Sequence, residues 1–184
     1  MKKIISLFKR DYEGTRLVYD AVVPGAEWVI RGEGIATRKW DGTCTMIDRG
    51  TLYKRFDAKQ GKQPPAGFVP AQDADPVTGH WPGWIEVSDG REDQWFREGL
   101  ANSGDLSDGT YELVGPKIQG NPEGFTEHRL IRHGVDELDA PRTFVELREW
   151  FVDKDIEGVV WHRADGEMVK IKKKDFGLKR GVAS

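Results

Sequence analysis

Short runs in which apolar and polar residues alternate dominate the chain, and they predict β-strands. Thr43–Asp48 and Thr51–Phe56 are two such runs on either side of Arg49-Gly50, a pattern typical of a β-hairpin. Glycine and proline occur 22 and 9 times, and their density in Ala58–Gly83 predicts a surface loop there. Further strands are predicted at Leu17–Val23, Trp28–Ile30, Ile35–Arg38, Trp84–Val87, Gly109–Val114, His128–Ile131, Ile156–His162 and Glu167–Lys173.

Helical periodicity is scarce and marks two segments. The first is Glu92–Ala101. Its apolar side consists of Trp95, Phe96 and Leu100. The second begins at Thr143, which forms a capping-box pattern with Glu146. Its apolar stripe consists of Phe144, Leu147 and Phe151. Many strands and few helices predict an α+β fold of antiparallel sheets flanked by a few helices.

The composition is that of a soluble globular protein with a heavily charged surface, because 38% of the residues are hydrophobic and 32% are charged. A length of 184 residues fits one domain with a sizeable core. The net charge of -3 does not by itself indicate a nucleic-acid-binding protein. However, Lys170–Arg180 holds six Lys or Arg and one Asp, so this segment could face phosphates.

The apolar run Ile4–Phe8 near the N-terminus is too short for a signal peptide or a membrane span. We therefore expect a cytoplasmic monomer that does not contact membranes. A single cysteine, Cys44, excludes an intramolecular disulfide and disfavours a cysteine-based metal site. The four histidines lack zinc-ligand spacing; they are His80, His128, His133 and His162.

A lysine before an Asp-Gly pair is the first candidate for chemistry. Lys39, Asp41 and Gly42 offer an amine nucleophile, a neighbouring carboxylate and the backbone freedom for close approach of a phosphate. The same tetrapeptide also fits a solvated turn. What the rest of the chain supplies decides between these two interpretations.

The last predicted hairpin, which turns at Asp165-Gly166, puts two lysines on one face. Alternation places Lys170 and Lys172 on one side and Val169 and Ile171 on the other. Two adjacent lysines repel each other, so the arrangement favours an anion between them. The alternative is an edge strand that lysines protect from pairing.

Two carboxylates and an arginine complete the candidate set. Glu157, at the mouth of an apolar strand beside Gly158, could hold a divalent metal ion, or it could be an ordinary strand-end charge. Glu112 has apolar neighbours, so a hydroxyl or metal contact is expected unless it lies on a solvent face. Arg55 suits bidentate phosphate binding, or lies at a solvated strand end.

These groups supply what a covalent lysine needs. Lysine has an ordinary pKa of about 10.4, so it is protonated and not nucleophilic at neutral pH. Positive charge from Lys170, Lys172 and a metal ion near Lys39 would favour its neutral form. A metal ion on Glu157 would also stabilise charge on a phosphoryl group under attack.

Four motifs occur in a set order along the chain. They are Lys39-x-Asp41-Gly42, Glu112 followed by Gly115-Pro116-Lys117-x-Gln119-Gly120-Asn121, Glu157-Gly158-Val159-Val160, and Val169-Lys170-Ile171-Lys172. This set resembles the covalent lysine nucleotidyltransferases, which comprise the ATP-dependent RNA and DNA ligases and the mRNA capping guanylyltransferases. With the segments Leu52–Lys59 and His128–Gly134, the chain is most similar to the 5′-phosphate/3′-hydroxyl RNA ligase family that includes a vertebrate member.

The resemblance implies the chemistry at four of the residues. Lys39 would attack the α-phosphate of ATP to give lysyl-AMP and release pyrophosphate. Lys170 and Lys172 would contact the α-phosphate. Glu157 would bind the catalytic metal ion, Mg²⁺ or Mn²⁺, or its water shell.

The resemblance also implies the fold and the RNA substrate. Residues 1–184 would form one minimal nucleotidyltransferase (ATP-grasp-like) domain without an accessory OB-fold, because only a short basic tail follows the last motif. Glu112 would contact the ribose, and Arg55 the ribose or the phosphate of the RNA end. The adenylate would pass to an RNA 5′-phosphate, and a 3′-hydroxyl would then displace AMP.

The chain departs from the wider superfamily in two places. Thr43, Cys44 and Thr45 occupy the stretch where DNA ligases usually carry an arginine, which disfavours a DNA ligase. Leu130 and Ile131 fill the nearest match to the adenine-stacking aromatic residue, so that residue stays unassigned. The alternatives are a DNA ligase, a GTP-dependent capping guanylyltransferase, or an RNA-binding module that keeps the fold without the chemistry.

Overall fold

The structure is a computed structural model that describes residues 2–59 and 61–181. The chain folds as two compact units. The central unit comprises Met1–Lys3 and Asp41–His133, and the terminal unit comprises Ile4–Trp40 and Gly134–Ser184. The expectation of a single nucleotidyltransferase domain over 1–184 stays a prediction.

The described residues form strands β1 to β12 and helices α1 to α3, with two 3₁₀ turns at Arg91–Asp93 and Lys173–Phe176. The strands are β1 (Ile5–Ser6), β2 (Phe8–Arg10), β3 (Val18–Val22), β4 (Ile35–Lys39), β5 (Thr43–Asp48), β6 (Thr51–Ala58), β7 (Val69–Pro70), β8 (Trp81–Glu86), β9 (Gly109–Val114), β10 (Arg129–Arg132), β11 (Gly158–His162) and β12 (Met168–Lys172). The helices are α1 (Glu27–Ile30), α2 (Gln94–Asn102) and α3 (Phe144–Val152). None of these helices has the length and apolar composition that crossing a membrane requires.

The terminal unit contains a four-stranded sheet in the order β1-β12-β11-β4 and a ribbon of β2 and β3. Strand β1 runs parallel to β12, and the other pairs in the sheet are antiparallel. Val169 and Ile171 of β12 are fully buried with Leu147 and Phe151 of α3. This packing confirms the predicted alternation of β12, because Lys170 and Lys172 must then lie on its other face.

The central unit contains a six-stranded sheet in the order β10-β9-β5-β6-β8-β7. One face packs against α2. The core of this unit consists of Ile47, Leu52, Tyr111, Leu113, Ile118 and Leu130, with Trp95, Phe96 and Leu100 packed against it. The predicted buried side of α2 is therefore confirmed. The opposite face of the sheet, which we call the polar face, carries polar side chains together with the buried Trp84 and Val114.

The α+β class and the antiparallel character are confirmed, and strands β5 and β9 begin and end at the predicted residues. Trp28–Ile30 is not a strand, because it belongs to the one-turn helix α1. A short apolar run has no periodicity that separates a strand from a buried helical turn. The predicted loop Ala58–Gly83, of which residue 60 lies outside the described part, contains β7 and the start of β8.

The start of each longer helix differs in detail from its prediction. Thr143 is the N-cap of α3, but its hydroxyl donates to the Glu146 carboxylate at 2.6 Å and caps no backbone amide. Before α2, the carboxylate of Asp93 accepts hydrogen bonds from the Ser88 amide at 2.8 Å and the Lys54 ammonium at 2.5 Å. These bonds accompany a 3₁₀ turn where a continuous helix from Glu92 was predicted.

Candidate active site

Lys39 and Lys172 lie on either side of one glycine of β11, an inner strand of the four-stranded sheet. Gly158 of β11 pairs with Lys39 of β4 on one side and with Lys172 of β12 on the other. Directly opposed residues of antiparallel strands project from the same face. Gly158 has no side chain, and the neighbouring strand packs so closely that a Cβ there would lie 2.2 Å from the Ile171 carbonyl oxygen.

Glu157 joins these two lysines through its carboxylate. Oε2 lies 2.5 Å from Nζ of Lys39, and Oε1 lies 2.5 Å from Nζ of Lys172. The glutamate is only 8% exposed. Burial opposes its ionisation, but attraction to Lys39 and then to Lys172 outweighs burial and lowers the pKa of Glu157 below its ordinary value. The carboxylate is therefore ionised at neutral pH.

Lys170 lies next to this pair without a carboxylate of its own. It faces Val160, two residues along β11 from Gly158, so it shares a face with Lys172. Among the described residues, no acidic side chain forms an ion pair with Lys170. Burial, followed by repulsion from Lys172 and Lys39, lowers the pKa of Lys170 to about 8. We call Lys39, Glu157, Lys170 and Lys172 the lysine cluster.

Glu112 occupies a separate polar site in the central unit. Its Oε1 accepts the backbone N–H of Gly42 at 3.1 Å, and its Oε2 lies 2.8 Å from Nε2 of His133. The bond to a carboxylate assigns the proton to Nε2 of His133, so Nδ1 accepts from the Thr110 hydroxyl at 3.1 Å. Gly42, Thr110, Glu112 and His133 form what we call the glutamate clamp.

The polar face of the six-stranded sheet also carries Arg55. Thr45 pairs with Lys54 and with Tyr111, which places these three on one face. Their neighbours Arg55 and Glu112 therefore project from the opposite face.

Aromatic and acidic neighbours hold the Arg55 side chain. Its guanidinium carbon lies 5.2 Å from the centre of the Trp84 ring, and its Nε lies 3.5 Å from Oδ1 of Asp57. Trp84 itself is buried, with 2% of its surface exposed.

The structure brings four of the six predicted site residues together in the lysine cluster and places the other two, Glu112 and Arg55, on one sheet face of the central unit. Sequence reasoning missed His133 and Cys44. His133 was set aside for the spacing of the histidines, and Cys44 because it is the single cysteine. In the structure, strand register brings Cys44 opposite Glu112, and a hydrogen bond brings His133 to it. Their place in the cross-strand pattern was the signal that could have found them.

Positive charge near Lys39 was expected to favour its neutral form, and this stays a prediction. The structure places an ionised carboxylate 2.5 Å from Lys39 Nζ and lowers the pKa of the neighbouring Lys170. The cluster is suited to binding an anion, because three lysine side chains lie around it.

The donor set around Glu157 fits Mg²⁺ or Mn²⁺ only in part. Mg²⁺ sites commonly use one or two carboxylates together with substrate phosphates and water. Glu157 supplies one ionised carboxylate, and both of its oxygens are engaged by lysines. The cluster therefore fits a metal ion that arrives with phosphate ligands.

The chain is thus an α+β protein with a lysine cluster suited to binding an anion, and comparison with known proteins identifies its family. The family model described as RNA ligase 1 matches residues 92–184. RNA ligase 1 of Danio rerio is 29% identical over 140 residues, covering 57% of this chain and 43% of that protein. RNA ligase 1 of Mus musculus is 26% identical over 219 aligned positions, covering 78% of this chain and 67% of that protein.

The chain belongs to the RNA ligase 1 family, because the family match covers half of it. That match contains Glu112, Glu157, Lys170 and Lys172, and it begins beyond Lys39 and Arg55. The alignments with the Danio rerio and Mus musculus proteins span 43% and 67% of the length of those relatives.

Proposed function

We propose that this chain is an ATP-dependent RNA ligase that joins 5′-phosphate and 3′-hydroxyl RNA ends through a lysyl-AMP intermediate. The observation that carries the proposal is the lysine cluster, in which Lys39 Nζ lies 2.5 Å from the buried Glu157 carboxylate. Membership of the RNA ligase 1 family supports RNA as the substrate. We include in the proposal that the fold is of the nucleotidyltransferase (ATP-grasp-like) type.

Lys39 is the proposed nucleophile. Its Nζ forms a bond to the α-phosphorus of ATP while the bond from that phosphorus to the pyrophosphate oxygen breaks. The Lys39 ammonium first loses one proton to water, which gives the neutral amine that attacks. Pyrophosphate leaves, and the nitrogen loses a second proton to water as the phosphoramidate forms. Lys39 and Lys172 each end a strand, and Lys39 is the one that stands immediately before Trp40-Asp41-Gly42.

Lys170 and Lys172 are the proposed contacts for the α-phosphate. Their ammonium groups project from the same face of β12, and Lys170 forms no ion pair with any carboxylate of the residues that the structure describes. A phosphate beside them replaces repulsion between like charges by attraction, which restores the charged form of Lys170. The positive charge of the two lysines also stabilises the α-phosphate oxygens, which become more negative during attack.

Glu157 is the proposed residue for holding Mg²⁺ or Mn²⁺, because it is the buried and ionised carboxylate of the cluster. A bound metal ion supplies electrostatic stabilisation of the phosphate oxygens. Glu157 also positions both lysines through its two carboxylate oxygens.

Glu112 is the proposed contact for the ribose hydroxyls, and Arg55 for the ribose or the phosphate of the RNA end. An ionised carboxylate has about four acceptor positions, and the glutamate clamp uses one on each oxygen of Glu112. The remaining lone pairs can accept from hydroxyl groups. A metal contact is the alternative role for Glu112.

The adenylate then moves to the RNA. An oxygen of the RNA 5′-phosphate attacks the phosphorus of lysyl-AMP, and the P–N bond to Lys39 breaks. The 3′-hydroxyl of a second end attacks the adenylated 5′-phosphate and displaces AMP. One phosphodiester forms, and the lysine regains its free amine.

Labelled ATP tests the first step. With Mg²⁺ and ATP labelled in the α-phosphate, the protein should acquire label through an acid-labile bond, and Lys39→Ala should acquire none. Lys9→Ala is the matched control, because Lys9 is an exposed lysine of the same unit. Parallel reactions with labelled GTP separate a ligase from a guanylyltransferase.

Sealing tests the later steps. Wild-type protein should join RNA with 5′-phosphate and 3′-hydroxyl ends and should prefer it to DNA with the same ends. A wild-type protein that forms no covalent adduct with any nucleotide would show the proposed mechanism to be wrong. If the adduct forms but is transferred only to DNA, the RNA substrate is wrong and the lysine chemistry stands.

A further inference from the structure

We propose that Cys44, Glu112 and His133 form a binding site for a divalent transition-metal ion, with Zn²⁺ as the candidate, separate from the Mg²⁺ site proposed at Glu157. Each of the three residues offers one ligand atom, and these atoms lie within 4.8 Å of one another. Tetrahedral zinc with ligands at its usual bond lengths separates its donor atoms by about 3.5 Å. Side-chain adjustments of about 1 Å therefore suffice to close the site.

Three neighbouring strands of the central unit hold the ligands. Cys44 of β5 lies directly opposite Glu112 of β9. His133 comes immediately after β10 and continues its pairing, because its N–H donates to the Thr110 carbonyl at 3.1 Å. All three side chains project from the polar face of the sheet, so the backbone that carries them is fixed by strand register.

The ligands also have the outer hydrogen bonds that metal ligands use. A coordinating histidine usually donates its second ring N–H to a nearby acceptor, and a coordinating carboxylate is itself hydrogen-bonded. Metal binding at Nε2 of His133 would place the ring proton on Nδ1, which lies 3.1 Å from the Thr110 hydroxyl. The Gly42 amide already holds Oε1 of Glu112 at 3.1 Å.

The donor chemistry selects the ion. Thiolate and imidazole favour Zn²⁺ and other transition metals over Mg²⁺, which prefers oxygen. Three protein ligands leave a fourth position for water, as in open zinc sites. Glu112 is 7% exposed, whereas Cys44 and His133 are partly exposed, which gives an ion a route to the site.

Occupancy would change what Glu112 can do. A Zn²⁺ ion at Oε2 would withdraw electron density from the Glu112 carboxylate and occupy space beside it, which weakens its contact with ribose hydroxyls, so Zn²⁺ and nucleotide would compete. This consequence rests on the proposed function, because it takes Glu112 as the ribose contact. The metal site itself does not depend on that role.

Cobalt spectroscopy tests the site directly, since Co²⁺ takes zinc geometry and absorbs visible light. Reduced protein titrated with Co²⁺ in excess Mg²⁺ should develop tetrahedral bands and a near-ultraviolet sulfur-to-cobalt band. Cys44→Ser should lose the sulfur band, His133→Gln should bind about 100-fold more weakly, and Thr110→Val about tenfold more weakly. His80→Gln is the matched control, because His80 is an exposed histidine of the same unit, and it should leave the spectrum unchanged.

A spectrum without the sulfur band, or an affinity that Cys44→Ser and His133→Gln leave unchanged, overturns the proposal. A second measurement needs no variant. Cys44 is the single cysteine, so all reactivity toward a thiol reagent belongs to it. Zn²⁺ at ten times its dissociation constant should slow that reaction about tenfold, and an unchanged rate also overturns the site.

Adenylation tests the competition. Each protein is compared with its own rate in the absence of zinc, in excess Mg²⁺, so that zinc chelation by ATP affects both proteins equally. Wild type should be inhibited at zinc concentrations that leave Cys44→Ser unaffected, and equal inhibition shows that zinc does not act at Cys44. A wild-type protein that forms no adduct even without zinc counts against the proposed function alone, because the cobalt spectrum is read without nucleotide.

Discussion

The lysine cluster and the glutamate clamp each centre on one buried glutamate, but they hold it in opposite ways. Glu157 is held by two long, charged side chains, Lys39 and Lys172. Glu112 is held by the Gly42 backbone amide and by the His133 ring. The Glu157 carboxylate balances the charge of the lysines. The direction of the Glu112 carboxylate is fixed by a backbone amide and a histidine ring.

This difference separates a site that must rearrange from one that need not. Lysine side chains have four rotatable bonds, so they can leave a carboxylate when a phosphate offers a better partner. The Gly42 amide moves only with the backbone, and the His133 side chain has fewer rotatable bonds than a lysine. The lysine cluster is thus suited to chemistry on a charged group. The glutamate clamp is suited to binding a ligand in one fixed orientation.

The same substitution at the two glutamates should therefore have unequal effects, and we expect the largest effect at Glu157. Glu157→Gln removes the negative charge that the lysines share, and adenylation should fall by about 10²–10³-fold. Glu112→Gln keeps the Gly42 contact, and its amide can donate to His133 after the ring proton moves to Nδ1. We expect a loss of about tenfold, seen mainly in KM.

Initial rates of lysyl-AMP formation over a range of ATP concentrations measure both variants. Melting temperatures provide the control for folding. Equal losses in the two variants would contradict the contrast between a charge-balancing and an orienting carboxylate. A larger loss of adenylation in Glu112→Gln than in Glu157→Gln would reverse that contrast.

Strand alternation predicted that the two lysines of β12 share a face, whereas the resemblance to a known family joined Lys39 and Glu157 to them. Once Val169 and Ile171 are taken as core, Lys170 and Lys172 have one face left to occupy, and both apolar residues are buried. Gly158 also lies between Lys39 and Lys172 because the central strand pairs with both neighbours. Which strands are neighbours could not be read from the chain.

The glutamate clamp was not predicted, because its members come together only through the pairing of strands that are far apart in the sequence. His133 follows its strand, and a contact with Glu112 depends on how β10 pairs with β9. The parallel strand β1 was missed for a similar reason, since two residues carry no periodic signal and its partner is at the other end of the chain. Helix α1 shows the reverse failure, in which a local apolar run was assigned to the wrong element.

Each carboxylate has a nearby glycine where an added methyl group should disrupt the strands. A Cβ on Gly158 would lie 2.2 Å from the Ile171 carbonyl oxygen, and one on Gly42 would lie 2.1 Å from the Leu113 carbonyl oxygen. Both obstacles are backbone atoms, so the strands must separate. We expect Gly158→Ala and Gly42→Ala each to lower the free energy of unfolding by about 2–3 kcal/mol.

Denaturant unfolding measures both variants, and Gly181→Ala is the matched control because no atom lies within 4 Å of its added Cβ. The functional consequences should differ between the two sites. Gly158→Ala displaces the two lysines and should slow adenylation, whereas Gly42→Ala displaces a hydrogen-bond donor to Glu112 and should raise KM. Wild-type stability in either variant would show that the close packing around that glycine is not present in solution.

The smallest of these effects is a pH dependence of the free energy of unfolding, which arises from Lys170 in the lysine cluster. In the folded protein the pKa of Lys170 falls from its ordinary 10.5 to about 8, chiefly because of burial. Between about pH 8 and 10.5 the unfolded chain therefore binds more protons than the folded one, so stability rises with pH across this window. The cost of burying the charge is present below about pH 8 and is relieved as the amine loses its proton.

Lys170→Met removes this titration without removing the buried stem. Denaturant unfolding measures both proteins from pH 7 to 10.5. Over this range the free energy of unfolding of wild type should rise by on the order of 2 kcal/mol relative to that of Lys170→Met. This value is reduced because the side chain is partly exposed. Inorganic phosphate should flatten the difference, because an anion beside Lys170 restores its charged form. A difference between the two proteins that does not change with pH would mean that Lys170 is solvated, and the lysine cluster would then lack the unpaired buried amine that sets it apart from the glutamate clamp.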